Sequence, residues 1–314
     1  MGLNGYVVIG SAVVGLLVGL TGAGGGALMT PMLILLFSVK PAAAISSDLV
    51  AAVVMRPVGA IVHLRKGTVN LRLVGLMTLG SVPMAFLGAY LLKLLGNTSS
   101  SQQNVEIALG AALLAGTAAM VVRFVLDRRS GPRTAKIGEV RIRPVPTVLI
   151  GMAGGLIVGL TSVGSGSLMI VLLLFAYPKL SAGRLVGTDL TQAVPLTAAA
   201  ALGALAFGHV EFGVTASIIA GSVPAVLIGS LFSSRAPDKY IRPAITFVIL
   251  ASGLKYIGVG TYPLGWAMGA VLVAAGGYWL VRSQPWRHRE PAPVPVPEPA
   301  LEPALEPLDD VSVT

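Results

Sequence analysis

Long apolar runs, each near the length of a membrane-crossing helix, recur along the chain between short polar loops. They cover residues 6–38, 42–64, 71–95, 104–126, 147–177, 182–207, 211–234, 240–260 and 264–282. A helix needs about 20 apolar residues to cross a bilayer. The pattern predicts an all-α polytopic membrane protein. Two runs carry Gly-rich interruptions, at 21–26 and 161–166. The pieces flanking the first break are short. At about 1.5 Å per residue, 6–20 spans about 22 Å and 27–38 about 18 Å. Neither crosses a hydrocarbon core of about 30 Å.

The two interruptions are copies of one another. Gly15 to Leu33 reads GLLVGLTGAGGGALMTPML, and Gly155 to Leu173 reads GLIVGLTSVGSGSLMIVLL. Eleven of nineteen positions are identical at an offset of 140. Further on, Asp48 matches Asp189, Gly67 matches Gly208, and Gly80-Ser81-Val82-Pro83 matches Gly221-Ser222-Val223-Pro224, at an offset of 141. The expected organisation is a first repeat over 1–126, a basic linker over 127–146 and a second repeat over 147–260. An extra helix over 261–284 and a Pro-rich tail over 285–314 follow. The tail, PAPVPVPEPALEPALEP, cannot bury a core and reads as disordered or polyproline-like.

Charge orients the segments. The linker carries Arg128, Arg129, Arg133, Lys136, Arg141 and Arg143, which the positive-inside rule assigns to the cytoplasm. Arg65, Lys66 and Arg72 mark a second cytoplasmic loop, and Arg235, Lys239 and Arg242 a third. All basic loops and the tail fall inside only if each broken run enters the membrane and returns on its own side. Each repeat is then a re-entrant hairpin plus three spans. Three is odd, so the repeats face opposite ways, an arrangement known from secondary transporters. The first twenty residues lack a basic leader, so no cleaved signal peptide is expected.

Composition narrows the chemistry. Charged residues are 11% of the chain, against about 25% in soluble domains. There is no cysteine, and the three histidines are not paired, so no thiol chemistry, metal centre or cofactor is expected. The net charge of +9 lies in topogenic loops, so nucleic acid is not an expected partner. The expected partners are a small anion and the lipid bilayer, with a homodimer left open. No Walker A motif or GxSxG sequence is present, so neither ATP-driven transport nor an enzyme is expected.

Candidate site residues fall in three groups. The breaks supply Thr21, Gly22, Gly24, Gly25 and Gly26 in copy one, and Thr161, Ser162, Gly164, Ser165, Gly166 and Ser167 in copy two. Glycine lets backbone N–H groups face a ligand closely, and the helix after each break offers unpaired donors and a positive dipole end. The bland alternative is Gly-mediated helix packing. Asp48 and Asp189 are repeat-equivalent carboxylates in apolar helices, read as proton carriers or as helix N-caps. Ser47, Thr188 and Gln192 are expected to face the same region. Arg56, eight residues after Asp48, is read as an anion ligand or counter-ion, or as a side chain snorkelling to the surface. Lys255 reads as snorkelling, and His63 and His209 as interfacial.

The motif G-L-T-x-x-G-x-G-x-L-M in each repeat, the helix start GTDL and the segment VHLRKGTVNLRL resemble the TauE/SafE sulfite exporter family, also called the 4-toluene sulfonate uptake permease family. The likeness covers about residues 6–260. It implies an inner-membrane carrier of anions such as sulfite, sulfoacetate or sulfonates, often exported and coupled to protons. Asp48 departs from the pattern, since many members have a small hydroxyl residue there. The tail lies outside it. An anion channel on the same scaffold is the alternative reading, and a membrane enzyme or assembly factor a weaker one.

Overall fold

The computed structural model describes residues 3–21, 25–65, 67–96, 99–129, 142–178, 180, 182–208, 210–232, 238–260, 262–270 and 273. Break residues Gly22 and Gly24, most of the linker, His209 and the tail lie outside them. Helices α1 (Gly5–Thr21), α2 (Gly26–Phe37), α3 (Pro41–Arg65), α4 (Leu71–Gly96) and α5 (Ser99–Arg129) come from the first repeat. The second gives α6 (Pro144–Thr161), α7 (Leu168–Ala176), α8 (Ala182–Phe207), α9 (Phe212–Phe232) and α10 (Asp238–Tyr256). All ten belong to one compact unit, Met1–Ala267. Of a second unit, Met268–Thr314, only residues 268–270 and 273 are described.

Among the described residues, six helical stretches are long and apolar enough to cross a bilayer. They lie in α3, α4, α5, α6, α8 and α9. Of the other four, α1, α2 and α10 offer shorter apolar stretches, the last beginning only at Pro243, and α7 has 9 residues. Large apolar side chains such as Leu79, Leu202, Leu231 and Phe175 stay well exposed on outer helix faces. So much apolar surface drives association in water but is covered by lipid. The chain is a multi-pass membrane protein.

Both broken runs fold into hairpins. Gly10, early in α1, lies against the Met32 sulfur and the Phe37 ring, late in α2. In the second copy, Tyr177 Oη accepts the Arg143 N–H at 3.0 Å and sits 2.6 Å from Thr147 Oγ1. The end of α7 is thereby tied to the start of α6. At 18 residues, α6 is about 27 Å long at about 1.5 Å per residue. That is close to the thickness of a hydrocarbon core of about 30 Å, and α7 then turns back along it.

Helix pairing exchanges the repeats. Parallel to one another, α1 and α9 bring Gly15 to Ser222, Gly19 to Val226 and Gly229 to Leu16. The equivalent pair, α6 and α4, is also parallel, with Gly151 on Met77, Gly155 on Ser81 and Gly159 on Ala85. At each glycine a Cβ would collide with the facing backbone. Small residues every four positions let membrane helices approach this closely. By contrast α3 and α8 are antiparallel: Ser46 meets Gly208, Gly59 meets Leu190 and His63 meets Gly187. Two apolar clusters result. One buries Met29 and Leu33, and the other their repeat equivalents Met169 and Leu173.

Candidate functional site

The two breaks meet. Gly26 opens α2 against Ser162, which ends α6, and a side chain at 26 would strike the Ser162 carbonyl. Ser162 is left-handed at φ 59° and ψ 0°, with its N–H bonded to Val158 O at 2.7 Å. That conformation costs a non-glycine residue about 1–2 kcal/mol, and such strain is retained where the surroundings compensate it. Here the compensation is a hydrogen bond, from Ser162 Oγ to Asp48 Oδ2 at 2.7 Å. Beyond it, Gly164 and Gly166 turn the chain at φ 119° and 95°, values that glycine alone adopts readily.

Asp48 sits at the centre of a three-element junction. Its Oδ2 accepts from Ser162 and from Thr30 of α2, the latter at 3.1 Å. The carboxylate is 2% exposed. Three segments, α3, α2 and the second break, are thus joined through one oxygen. In apolar surroundings two hydroxyl donors offset part of the cost of a buried charge.

Asp189 occupies the equivalent position on α8 and is fully buried. Neither of its oxygens makes a hydrogen bond of full geometry. The Gly166 amide is a backbone donor toward it, and Arg56 and Arg123 act on it as charges. Arg56 itself acts on both carboxylates. Being 8% exposed, it does not snorkel, and its Nη1 has no hydrogen-bond partner. Arg56, Asp48, Asp189 and the second break are therefore neighbours in one buried polar region.

The break hydroxyls divide into two kinds. Thr21 and Thr161 donate to Leu17 O and Ile157 O of their own helices, each at 2.7 Å. A hydroxyl carries one hydrogen, so neither is a spare donor. Ser165 is buried with an unpartnered Oγ. Ser167 is buried at the start of α7, makes no capping bond and faces Gly116 of α5. Gly25 precedes α2, and its carbonyl accepts from Leu28 N and Met29 N at 3.0 and 2.9 Å.

Ser47 and Thr188 face away from this region. Ser47 Oγ accepts the Glu211 N–H at 3.1 Å, and Thr188 Oγ1 accepts the Asn70 N–H at 3.2 Å. Glu211 and Asn70 are themselves repeat equivalents, so each hydroxyl ties its helix to a loop of the other repeat. Gln192 donates to Ser81 of α4 at 2.6 Å, leaving its Oε1 without a partner. His63 ends α3 with Nδ1 3.0 Å from Thr68 Oγ1, and Lys255 lies in the last turn of α10. Sequence reasoning missed Thr30 and Ser81. Thr30 had a signal: it is a hydroxyl within an apolar helix where the second copy has Ile170.

Residues 7–256 match the family described as sulfite exporter TauE/SafE. The chain is 37% identical to "Probable membrane transporter protein YjnA" of Bacillus subtilis (strain 168) over 252 residues, covering 80% of this chain and 98% of that protein. It is 23% identical to "Probable membrane transporter protein YdhB" of the same organism over 251 residues, covering 79% and 98%. No solved structure matches.

Proposed function

The chain belongs to the sulfite exporter TauE/SafE family, and we propose that it exports a small sulfur-containing or organic anion coupled to protons. Sulfite is the candidate substrate that the family's description names, and sulfoacetate and sulfonates are candidates that share its oxyanion head. The anion is held where the two breaks meet, by the guanidinium of Arg56, the backbone amides of Gly164 to Gly166, and the hydroxyls of Ser165 and Ser167. The observation that carries this reading is Arg56: a buried guanidinium with a free donor, close to the Asp48 carboxylate that Ser162 of the second break binds. Guanidinium groups bind oxyanions with paired, directed hydrogen bonds.

The membrane arrangement follows from the same features. The repeats are inverted, each with a re-entrant hairpin, in the inner membrane, with the linker and tail cytoplasmic. Support comes from the antiparallel pairing of α3 with its own equivalent α8. Repeats related by an axis along the membrane normal would run these two helices the same way. The return of α2 along α1 and of α7 along α6 supports the re-entrant course.

A thermal-shift and binding screen on purified protein tests the substrate class, using sulfite, thiosulfate, sulfoacetate, taurine and sulfate. Sulfite or a sulfonate should stabilise the wild type and leave Arg56→Gln unshifted. Equal shifts in both proteins would remove Arg56 from the site.

A further inference from the structure

The two repeat-equivalent carboxylates differ in what surrounds them, and the sequence says why. Asp48 is bonded by Thr30 and Ser162. Carried across the repeat, Thr30 becomes Ile170 and Ser162 becomes Gly22. Neither of those side chains carries a polar atom. No hydroxyl donor reaches the second carboxylate, and the Gly166 amide is the donor beside it.

We propose that the pair has divided its labour: Asp189 is the proton-exchanging carboxylate, and Asp48 is a fixed clasp that holds the breaks together. This rests on the transport reading and assigns its coupling to one residue. The step is a simple protonation. The Asp189 carboxylate takes a proton from water on one side, becomes a neutral acid, and returns the proton to water later. Asp48 stays ionised, because losing its charge would weaken two hydrogen bonds that join three segments.

The charge inventory makes the proton matter for the anion. The elements packed against α8 are α3, α4, α6 and α7. From α3 come Asp48, Arg56, His63 and Arg65, while α8 itself carries Arg184. The charges of α4 and α6, Arg72, Lys93 and Arg143, sit at their ends, and α7 has none. Arg123 of α5 acts from further round. Near the breaks, two carboxylates thus share Arg56. An arriving anion adds a third negative charge to a poorly screened interior, where like charges repel strongly. Neutralising Asp189 frees Arg56 for the anion. Gln192, three residues on, presents an unpartnered Oε1 on the same face of α8, an acceptor for the acid's proton.

Infrared difference spectra of the reconstituted wild type across a pH step test the assignment without any substrate. The carbonyl-stretch signal of a buried carboxylic acid should appear in the wild type and in Asp48→Asn, and vanish in Asp189→Asn. Ile170→Thr, which keeps Asp189 and places a hydroxyl at the repeat equivalent of Thr30, should move the signal to lower frequency. A signal lost in Asp48→Asn and kept in Asp189→Asn, or unmoved by all three substitutions, overturns the proposal. Methanesulfonate binding is the second arm. Its affinity should fall at least tenfold on raising the pH in the wild type and stay level in Asp189→Asn. A matching fall in both contradicts the division of labour. Absence of binding in every protein would count against the transport reading and leave the infrared result to decide the carboxylates.

Discussion

Two junctions of the same design sit in this molecule, one around Asp48 and one around Asp189. Shared are a helical hairpin, a Gly-rich break in the sequence and a carboxylate in the first half of a long helix. Side chains are not. The first junction is wired through Thr30 and Ser162, and the second has a carboxylate without a hydroxyl donor, beside the Gly166 amide and under the charges of Arg56 and Arg123. Duplication preserved the parts that backbone packing demands, while the polar atoms diverged. Gly15, Gly19, Gly155 and Gly159 remain glycine in both copies because facing backbones leave no room for a Cβ. No such constraint acts on positions 30 and 170, and there the copies differ.

The largest test of the comparison is whether the repeats really face opposite ways. The natural chain has no cysteine, so single cysteines can be introduced directly. A cysteine at Leu3 should label fully from the outer side, and one at Glu290 should not label at all. Labelling at Glu290 alone, or at neither, would break the inverted arrangement.

Next in size are the glycines. Gly26→Val drives a side chain into Ser162 and should reduce sulfite affinity at least a hundredfold. Gly164→Val, at φ 119°, adds strain of about 1–2 kcal/mol and should act likewise. Gly88→Val and Gly229→Val strike the backbones of α6 and α1 instead. They should lower the melting temperature while the folded fraction binds normally, measured by thermal unfolding and equilibrium binding on the same preparations. Normal binding by a folded Gly164→Val protein would reduce the break to a packing device.

Smaller effects separate the two junctions directly. Thr30→Val removes one donor to a buried carboxylate and should destabilise by about 2 kcal/mol, since hydrogen bonds to charged groups are worth about 1.5–3 kcal/mol. Ile170→Val at the equivalent place removes one methyl group and should cost about 1 kcal/mol. Equal losses would deny the clasp. Smallest of all, Ser165→Ala deletes a hydroxyl that has no partner in the protein. Stability should hold, while anion affinity falls about fivefold, the equivalent of about 1 kcal/mol.

Much of the architecture was legible because membranes impose strict rules on sequence. Apolar runs marked the helices, and the repeated motif marked both breaks. The limits were legible too. Period and composition do not say which way a buried side chain turns, so Ser47 and Thr188 read as neighbours of the carboxylates although they anchor loops of the opposite repeat. Thr21 and Thr161 read as spare donors, yet each donates to its own helix. An exposed carbonyl at a helix end competes for any nearby hydroxyl, and only coordinates show which partner wins. Thr30 escaped notice because its role depends on a carboxylate eighteen residues away.

Flux of labelled sulfite through proteoliposomes tests the central claim, a carrier with Arg56 at an anion site between the breaks. The account predicts saturable flux, accelerated by unlabelled sulfite on the far side and lost in folded Arg56→Gln. Flux that rises linearly with concentration and ignores sulfite on the far side would instead describe a channel. Unaltered carrier kinetics in Arg56→Gln would contradict the site.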